Sequence, residues 1–275
     1  MIELPEAIVI ARQISAELKG KLIREGMRGN TPHKFAFYSR SAEEYATILP
    51  GKRMGEADAN GPLILISLEP EYVLMLGGGG ERILYHKGKS TLPKKHHLLL
   101  HFEDDSYLTV TVQGWGSAQL LHETEVAPHP FISKNPSPLS DQFTLDYFLR
   151  LFDGLVAGDK RAIKFFCISK PGILGVGNGY LQDILFSAKI HPRRRAIETT
   201  LEERRALFDA TRDTLKEAIR LNGRDTERDL YDRPGGYVRI LDSRVVGKPC
   251  PRCGTPIEKI FFLGGASYFC PNCQV

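Results

Sequence analysis

The N-terminal half of the chain changes from a helical to a strand-like pattern of apolar residues. Over residues 7–18 they repeat at helical spacing after Pro5, which suits a first helical turn, and Gly20 and the GMRGN stretch are expected to end this helix. Over residues 34–121 short apolar runs alternate with Gly, Pro and Asp turns. The runs predict strands at Phe35–Tyr38, Leu63–Leu68, Tyr72–Leu76, Arg82–Tyr85, His97–Phe102 and Leu108–Val112.

Antiparallel strands at this spacing predict a β-sandwich against which the first helix packs. Two stretches interrupt the strand pattern. SAEEYATIL fits either a short helix capped by Ser41 or a loop. The basic cluster formed by Lys94, Lys95, His96 and His97 fits either a phosphate contact or a solvated loop, and we favour the loop.

The C-terminal half begins with a proline-rich segment and is predicted to be largely helical. Residues 127–138 hold four prolines and little periodicity, which is typical of an interdomain linker. Polar residues that suit helix caps follow at Ser140, at Asp159, and at Thr200 with Glu203 as a capping box. The first of these helices is expected to reach about Phe152 and the last to end near Gly223, whereas the polar run 224–233 fits a mobile segment.

A glycine-rich turn joins two helical runs between Ile163 and Pro192. Gly175 and Gly177 allow a close backbone approach, and Asn178 stands at the start of the second run. Free N–H groups at a helix start attract anions, and an Asn side chain adds a donor, so a DNA phosphate suits this position. An ordinary helical hairpin with a glycine turn explains the same pattern equally well.

The length of 275 residues suits two domains, and charge is distributed unevenly between the halves. Residues 1–150 carry 16 Lys and Arg against 18 Asp and Glu, whereas residues 151–275 carry 21 against 15. A polyanionic partner is therefore expected to meet mainly the C-terminal half. No run approaches the roughly 18 apolar residues of a membrane span and no signal-peptide pattern opens the chain, so we expect a soluble, cytoplasmic protein without membrane association.

Four of the five cysteines form two C-x-x-C pairs, which predict a metal site. The ligands are Cys250, Cys253, Cys270 and Cys273. This spacing matches a four-thiolate zinc ribbon, in which two knuckles converge on a tetrahedral ion. Four protein ligands leave no open coordination position, so this Zn²⁺ is expected to be structural, with one ion per chain. The fifth cysteine, Cys167, lies in an apolar run and is expected to be a buried core thiol.

Three stretches resemble the formamidopyrimidine-DNA glycosylase and endonuclease VIII family. GVGN followed by Tyr180 and then IHP resembles the family's helix–two-turn–helix element, MIELPEA resembles its N-terminal start, and the cysteine ribbon resembles its zinc finger. The resemblance spans the whole chain, strongly from Ser137 onward and weakly across the middle of the N-terminal half. The expected fold class is therefore α+β, with an N-terminal β-sandwich and flanking helix, and a C-terminal helical domain with helix–two-turn–helix and zinc ribbon.

The resemblance also implies a domain division and a partner. The expected parts are the glycosylase-like β-sandwich domain 1–126, the linker 127–138, the helix–two-turn–helix domain 139–236 and the zinc-ribbon finger 237–275. Double-stranded DNA, damaged or abasic, is the expected partner of a monomeric protein and is expected to lie across the cleft between the domains. Family phosphate-binding positions match Lys164 and Asn178, and Tyr237 matches by its GGY context.

Members of this family attack the sugar C1′ of a flipped nucleotide with an N-terminal proline amine. Here Ile2 stands in that place, and its bulk leads us to expect that Met1 is retained. The free amine then lies up to ~3.8 Å further along the chain. Glu3 and Glu6 match the family's carboxylates and are the candidate catalytic side chains, together with the N-terminal amine of Met1 or Ile2. The alternative for both acids is that they simply open a helix, where its dipole favours negative charge.

Other family parts are absent at the matching positions. The catalytic lysine aligns near Gly61 or Pro62, and the void-filling methionine aligns within Gly77–Gly80. At the fingertip, Gly264–Ser267 contains no arginine for a phosphate contact. The wedge residues align near Trp115, which either fills the gap left by a flipped base or is a core aromatic in a glycine-rich turn.

Two functional classes follow from these matches and losses. The first is a damaged-DNA-binding protein of base-excision repair, a divergent glycosylase with impaired or altered proline-type lyase chemistry. The alternative is a non-catalytic DNA-binding protein that keeps the glycosylase scaffold. A zinc-ribbon protein with no DNA role requires the Asn178 turn to be a coincidence.

Overall fold

The computed structural model describes residues 1–275 and contains two compact units. The first unit comprises Met1–Lys134 and Ile219–Tyr237, and the second comprises Asn135–Ala218 and Val238–Val275. The domain limits expected from the sequence follow its motifs and remain a prediction. None of the helices combines the length and apolar character that crossing a membrane requires.

The first unit is a two-sheet sandwich with a helix packed on it. Its elements are α1 (Leu4–Leu18), β1 (Ile23–Arg28), β2 (Ala36–Phe37), α2 (Ala42–Ile48), β3 (Arg53–Asn60), β4 (Leu63–Glu69), β5 (Tyr72–Gly77), β6 (Glu81–His86), β7 (Leu98–Phe102), β8 (Tyr107–Val112), β9 (Gly116–His122) and α3 (Glu123–Val126). One sheet has the order β1-β7-β8-β6 and the other the order β2-β9-β5-β4-β3. Only the short β2–β9 pair is parallel.

The larger apolar core of this unit lies between these sheets and α1. It includes Ile10 and Ile14 from the helix, Leu74 from the five-stranded sheet and Leu108 from the four-stranded sheet. Each fully buried Leu or Ile contributes about 1.5–3 kcal/mol relative to exposure. Leu230 belongs to the same core, so the segment that follows the long helix of the second unit is anchored in the first unit.

Several local expectations for this unit need correction. The GMRGN stretch does not simply end α1, because part of it lies in strand β1. Strands β3 and β9 also were not predicted. Strand β3 is polar and contains Gly55, so it lacks the apolar run that marks the other strands. His96 and His97 are buried rather than part of a solvated loop. Of the two alternatives for SAEEYATIL, a short helix or a loop, the structure has the helix, which is α2 and is capped by Ser41.

The second unit is helical and ends in a β-hairpin. Its elements are α4 (Leu145–Arg150), α5 (Ile163–Ile168), α6 (Asn178–Ser187), α7 (Leu201–Arg220), β10 (Glu258–Phe262) and β11 (Gly265–Phe269). Two predicted caps are wrong. Thr144 rather than Ser140 caps α4, and Asp159 pairs with Arg161 while α5 begins without a side-chain cap.

The capping box of α7 is confirmed. The Thr200 N–H donates to the Glu203 carboxylate at 2.7 Å, and the Glu203 N–H donates to Thr200 Oγ1 at 3.1 Å. Cys167 is fully buried in α5, as predicted, and burial raises the pKa of its thiol to about 12. Together the two units form the expected α+β architecture, with helices α5 and α6 as the helical pair around the glycine turn.

Candidate functional site

A buried cluster of charges at the N-terminus of the first unit centres on Arg224. Glu3, Glu6 and Arg224 are 4%, 3% and 3% exposed. Arg224 donates from Nη1 to Glu3 Oε1 at 3.1 Å, from Nε to Glu6 Oε1 at 3.1 Å and from Nη2 to Glu6 Oε2 at 3.2 Å. The structure therefore brings together both predicted carboxylates, and it pairs them with a guanidinium that sequence reasoning missed.

Glu6 also has the helix-opening role that the sequence left open. Its Oε2 accepts the backbone N–H of Glu3 at 3.1 Å, and Pro5 lies in the first turn of α1. The backbone N–H of Arg224 donates to Glu6 Oε1 at 3.1 Å as well. A buried carboxylate is costly without a charge partner. These contacts therefore stabilise the buried Glu6 carboxylate and hold the N-terminal residues in place.

Met1 and Ile2 are fixed by three further contacts. The Met1 ammonium lies 2.8 Å from Glu227 Oε2, and Arg224 Nη2 donates to the Met1 carbonyl oxygen at 2.5 Å. The Ile2 N–H donates to Gly79 O at 2.9 Å, and the Ile2 side chain is buried. While Met1 is present, the nitrogen of Ile2 is an amide and has no nucleophilic lone pair, so the α-amine at Glu227 is the one available amine at this N-terminus.

A cavity of about 160 Å³ opens beside this N-terminus. It is lined by Met1, Ile2, Glu6, Gly80, Glu81, Arg82, Gln113, Thr226, Glu227 and Arg228. The amine and its carboxylate partner thus lie on the wall of a polar, solvent-connected space. Such a space suits a polar ligand group near the amine.

Trp115 is not a core aromatic, because its residue is 47% exposed. It lies against the glycine run Gly77–Gly80. A Cβ at Gly79 would approach Trp115 O to 2.2 Å and the indole Cδ2 to 3.0 Å, so only glycine fits there. Gly80 N–H donates to Trp115 O at 2.8 Å and fixes the two turns together.

Lys164 and Asn178 meet at the tip of the β10–β11 hairpin in the second unit. Lys164 is 1% exposed, and its Nζ donates to Phe262 O at 2.7 Å and to Ser267 Oγ at 2.9 Å. Asn178 Nδ2 donates to Ala266 O at 3.0 Å. Burial lowers the pKa of Lys164. These two predicted phosphate ligands therefore support the fingertip that lacks arginine.

The start of α6 holds the Asn178 side chain in one orientation. Gln182 Nε2 donates to Asn178 Oδ1 at 2.8 Å, which leaves the amide nitrogen directed at the hairpin. Tyr237, the third predicted DNA contact, belongs to the first unit and is buried. Its backbone N–H donates to Gly223 O at 2.9 Å and its carbonyl accepts from Asp225 at 3.0 Å. Tyr237 therefore closes the loop that carries Arg224.

The four predicted cysteines form one cluster that fits zinc. All four Sγ atoms lie within 4.8 Å of one another. Cys250 and Cys273 are 3.9 Å apart and Cys253 and Cys270 are 3.5 Å apart, close to the ~3.8 Å edge of a tetrahedron with ~2.3 Å Zn–S bonds. Gly254 N–H donates to Cys250 O at 2.9 Å and closes the first knuckle. The ribbon holds a structural Zn²⁺, and its four thiolates leave no position for substrate.

Arg224 and Glu227 are the residues of this candidate site that sequence reasoning missed. They lie in the run 224–233, for which mobility was predicted, and that prediction is wrong. Arg224 is buried, Leu230 is in the core, and Asp229 accepts hydrogen bonds from the backbone of Tyr231 and Arg233. No local signal identifies a buried arginine whose partners lie more than 200 residues earlier in the chain, and the polar composition of this run is also typical of mobile segments.

Three family models match successive parts of the chain. The formamidopyrimidine-DNA glycosylase N-terminal domain matches residues 1–113, the formamidopyrimidine-DNA glycosylase H2TH domain matches residues 135–229, and the zinc finger found in FPG and IleRS matches residues 247–275.

Full-length relatives and solved structures agree with these matches. The chain is 31% identical over 283 residues to the formamidopyrimidine-DNA glycosylase of Legionella pneumophila, covering 100% of this chain and 98% of the relative. It is 33% identical over 261 residues to that of Listeria monocytogenes, covering 82% and 94%. The MutM (Fpg) structure from Thermus thermophilus aligns with a TM-score of 0.80 at 26% identity, covering 99% and 98%. Lactococcus lactis Fpg in complex with abasic-site DNA shares the fold, with a TM-score of 0.84 at 23% identity and 99% coverage of both chains.

Proposed function

The chain belongs to the formamidopyrimidine-DNA glycosylase family, and we propose that it is a cytoplasmic base-excision-repair protein that binds damaged or abasic duplex DNA with impaired or altered proline-type lyase chemistry. The observation that carries this proposal is the N-terminal arrangement. Ile2 replaces the proline and its amide is bonded to Gly79 O, while the one α-amine belongs to Met1 and is paired with Glu227.

The remaining amine has a route to covalent chemistry that differs from that of a proline. Glu227 lies 2.8 Å from the Met1 ammonium and is placed to accept its proton. The nitrogen lone pair would then form a bond to C1′ of an abasic-site aldehyde. As this bond forms, the carbonyl π bond breaks, and a proton moves from nitrogen to the oxygen to give the carbinolamine. Its hydroxyl group then leaves as water with the proton returned from Glu227, which gives a protonated imine. The ion pair opposes attack, because the amine is nucleophilic only after it has lost the proton that holds it at Glu227.

The second candidate function is DNA binding without catalysis, and the Arg224 contacts favour it. A carboxylate that assists departure of a base must face the developing charge on the sugar. Here the carboxylates of Glu3 and Glu6 face the Arg224 guanidinium at 3.1–3.2 Å. Opposing this, the two acids match the family's carboxylates in the sequence, and Glu6 lines the same cavity as Met1.

Borohydride trapping distinguishes the two candidates. With duplexes that carry 8-oxoguanine, formamidopyrimidine, oxidised pyrimidines or an abasic site, we expect slow or absent strand cleavage. Any adduct trapped on abasic DNA should map to Met1, and intact mass should show that Met1 is retained. Glu227→Gln should reduce trapping, whereas Glu56→Gln, which removes an exposed carboxylate paired with Lys19, should not. Rapid cleavage with an adduct on residue 1 or 2 would contradict impaired chemistry, and no adduct under any condition would favour the non-catalytic candidate.

Duplex binding is expected to depend on Lys164 and Asn178 at the tip of the β10–β11 hairpin, here called the fingertip cluster. Asn178→Ala with Lys164→Ala removes the amide and the ammonium that lie against residues 262–267. Each phosphate contact that is lost should reduce the magnitude of the log–log salt slope of binding by roughly 0.9. Fluorescence anisotropy over a salt series measures this slope. Arg205→Ala, which removes an exposed positive charge from α7 in the same unit, is the control and should leave affinity nearly unchanged. Equal effects of the two changes would place the phosphate site elsewhere.

A further inference from the structure

Three histidines of the first unit lie together where the chain after β1 packs against the residues before β7. His33, His96 and His97 form this histidine cluster. The rings of His33 and His97 meet edge to face with their centroids 5.1 Å apart. His96 and His97 are 7% and 3% exposed, and both ring nitrogens of His96 and Nε2 of His97 are buried without a hydrogen-bond partner. Because buried polar atoms are rarely left unpaired, packing alone does not account for this cluster.

His97 joins two neighbouring segments to one point. Its ring Nδ1 accepts the Val112 N–H at 2.8 Å, which leaves the ring proton on the unpartnered Nε2. Its carbonyl oxygen accepts the Gly29 N–H at 2.9 Å and the Tyr38 hydroxyl at 2.8 Å. Neutral His97 therefore attaches the end of β8 and residues 29–38, here called the latch segment, to the start of β7.

The latch segment fits closely against the residues before β7. Asn30 Nδ2 donates to Lys94 O at 3.0 Å, and Asn30 Oδ1 accepts the His96 N–H at 3.1 Å. A Cβ at Gly29 would lie 2.2 Å from His96 O, so only glycine permits this approach. Because there is so little free space, charge repulsion within the cluster acts on the latch segment itself instead of being relieved by side-chain movement.

The chain segments that carry the cluster add only positive charge beside it. Arg28 precedes the latch segment, Lys34 follows His33, and Lys94 and Lys95 precede His96. A proton taken up by an imidazole here therefore adds to charge of the same sign, which disfavours the protonated ring.

No carboxylate pairs with the cluster. The ion pairs between histidine and carboxylate in this chain involve only His101. Strand β8 contributes the apolar Val112 at this point. Glu81, opposite Val112 on β6, uses its carboxylate to accept the N–H groups of Gly79 and Ser117. A positive charge on the cluster is thus left without compensation.

Burial keeps these imidazoles neutral at neutral pH. It lowers the pKa of His96, against an opposing effect of the Pro93 carbonyl, and burial together with His33 and His96 lowers the pKa of His97. The ordinary value is 6.5. A released segment, whose rings reach water, therefore binds more protons in acid than the closed structure does. The stability of the closed structure is fully present above about pH 6.5 and falls as the pH decreases toward the lowered values.

We propose that the histidine cluster is an acid-sensitive latch, which releases the latch segment from β7 and β8 when its imidazoles take up protons. A proton on His97 Nδ1 faces the Val112 N–H, so the hydrogen bond between them is lost. The charge on His97 also lies beside His33 and His96. A solvent-connected cavity of about 750 Å³ borders His33 and the latch segment, which gives protons access. The inference does not rest on the proposed function, because no ligand takes part.

Amide hydrogen exchange at two pH values tests the latch. After correction for the intrinsic exchange rate, protection of the latch segment and of the Val112 amide should be about tenfold or more lower at about pH 5.5 than at about pH 7.5, because each unit of a lowered pKa changes the equilibrium tenfold. His97→Asn keeps an acceptor near Val112 but cannot gain a charge, so it should lose most of this fall. His96→Leu replaces a ring without partners by an apolar group, and should lose part of the fall while keeping the fold.

His86→Asn is the matched control. His86 is a buried histidine of the same unit, and its ring nitrogens pair with the hydroxyls of Thr91 and Thr109. This variant should show the same fall in the latch segment as the unaltered chain. Unchanged protection of the latch segment in acid, an equal fall in α1, or a full-sized fall in both cluster variants overturns the latch. None of these results bears on DNA binding, so the proposed function is tested separately.

Discussion

Replacing Arg224 by methionine is expected to lower the free energy of unfolding of the first unit by about 3–5 kcal/mol, because one partner of a buried ion cluster is removed. The substitution leaves Glu3 and Glu6, both almost fully buried, without the guanidinium that donates to them. It also removes the donor to the Met1 carbonyl. Urea unfolding followed by Trp115 fluorescence measures the effect, since Trp115 lies in this unit.

Two variants separate charge pairing from general damage. Arg24→Met breaks ion pairs with the exposed side chains of Glu103 and Asp105, and should be far less destabilising than Arg224→Met, because water screens exposed ion pairs. Arg224→Met combined with Glu3→Gln and Glu6→Gln should recover part of the loss, because neutral side chains replace the uncompensated charges. If Arg224→Met is no more damaging than Arg24→Met, the cluster does not stabilise the N-terminus.

Local signals predicted the elements whose stability is decided within a few residues. The spacing of apolar residues identified α1, and the Thr200–Glu203 pair fixed the start of α7, whereas Ser41 marked only one of the two alternatives for the stretch that forms α2. Strand β3 was missed for a physical reason. Its composition is poor for an isolated strand, and it forms because β4 and α1 cover it.

The candidate site residues also divide into those that a local sequence pattern identifies and those that depend on distant contacts. Cys250 and Cys253 were recognised because a zinc knuckle needs only a short, fixed spacing. Lys164 and Asn178 were each identified by the family pattern, yet their common attachment to the hairpin depends on contacts 88 to 103 residues apart. Arg224 pairs with residues 218 and 221 positions away, and no periodicity or motif encodes such a pairing.

Removing zinc is expected to unfold the finger and to abolish the fingertip contacts with it. The apolar cluster of the finger is small and comprises Phe186, Leu241, Cys250, Ile257 and Cys270, two of which are metal ligands. A structural zinc site of this kind supplies about 10–16 kcal/mol of apparent binding free energy at neutral pH, which becomes folding free energy. Without it the hairpin loses its anchor, and Phe262 O, Ala266 O and Ser267 Oγ no longer hold Lys164 and Asn178.

The measurement combines metal content with binding. Purified protein should contain one zinc per chain, and a Cys270→Ser and Cys273→Ser double variant should contain almost none and lose most duplex affinity. Emission from Trp115 should stay nearly unchanged, because the core of the first unit contains no residue of the finger. Cys167→Ser is the matched control, since Cys167 is a buried thiol of the second unit, like the zinc ligands, but does not belong to the four-cysteine cluster. It should keep full zinc content. Less than about half an equivalent of zinc in the unaltered chain, or unchanged hairpin structure in the double variant, would show that the ribbon does not depend on the metal.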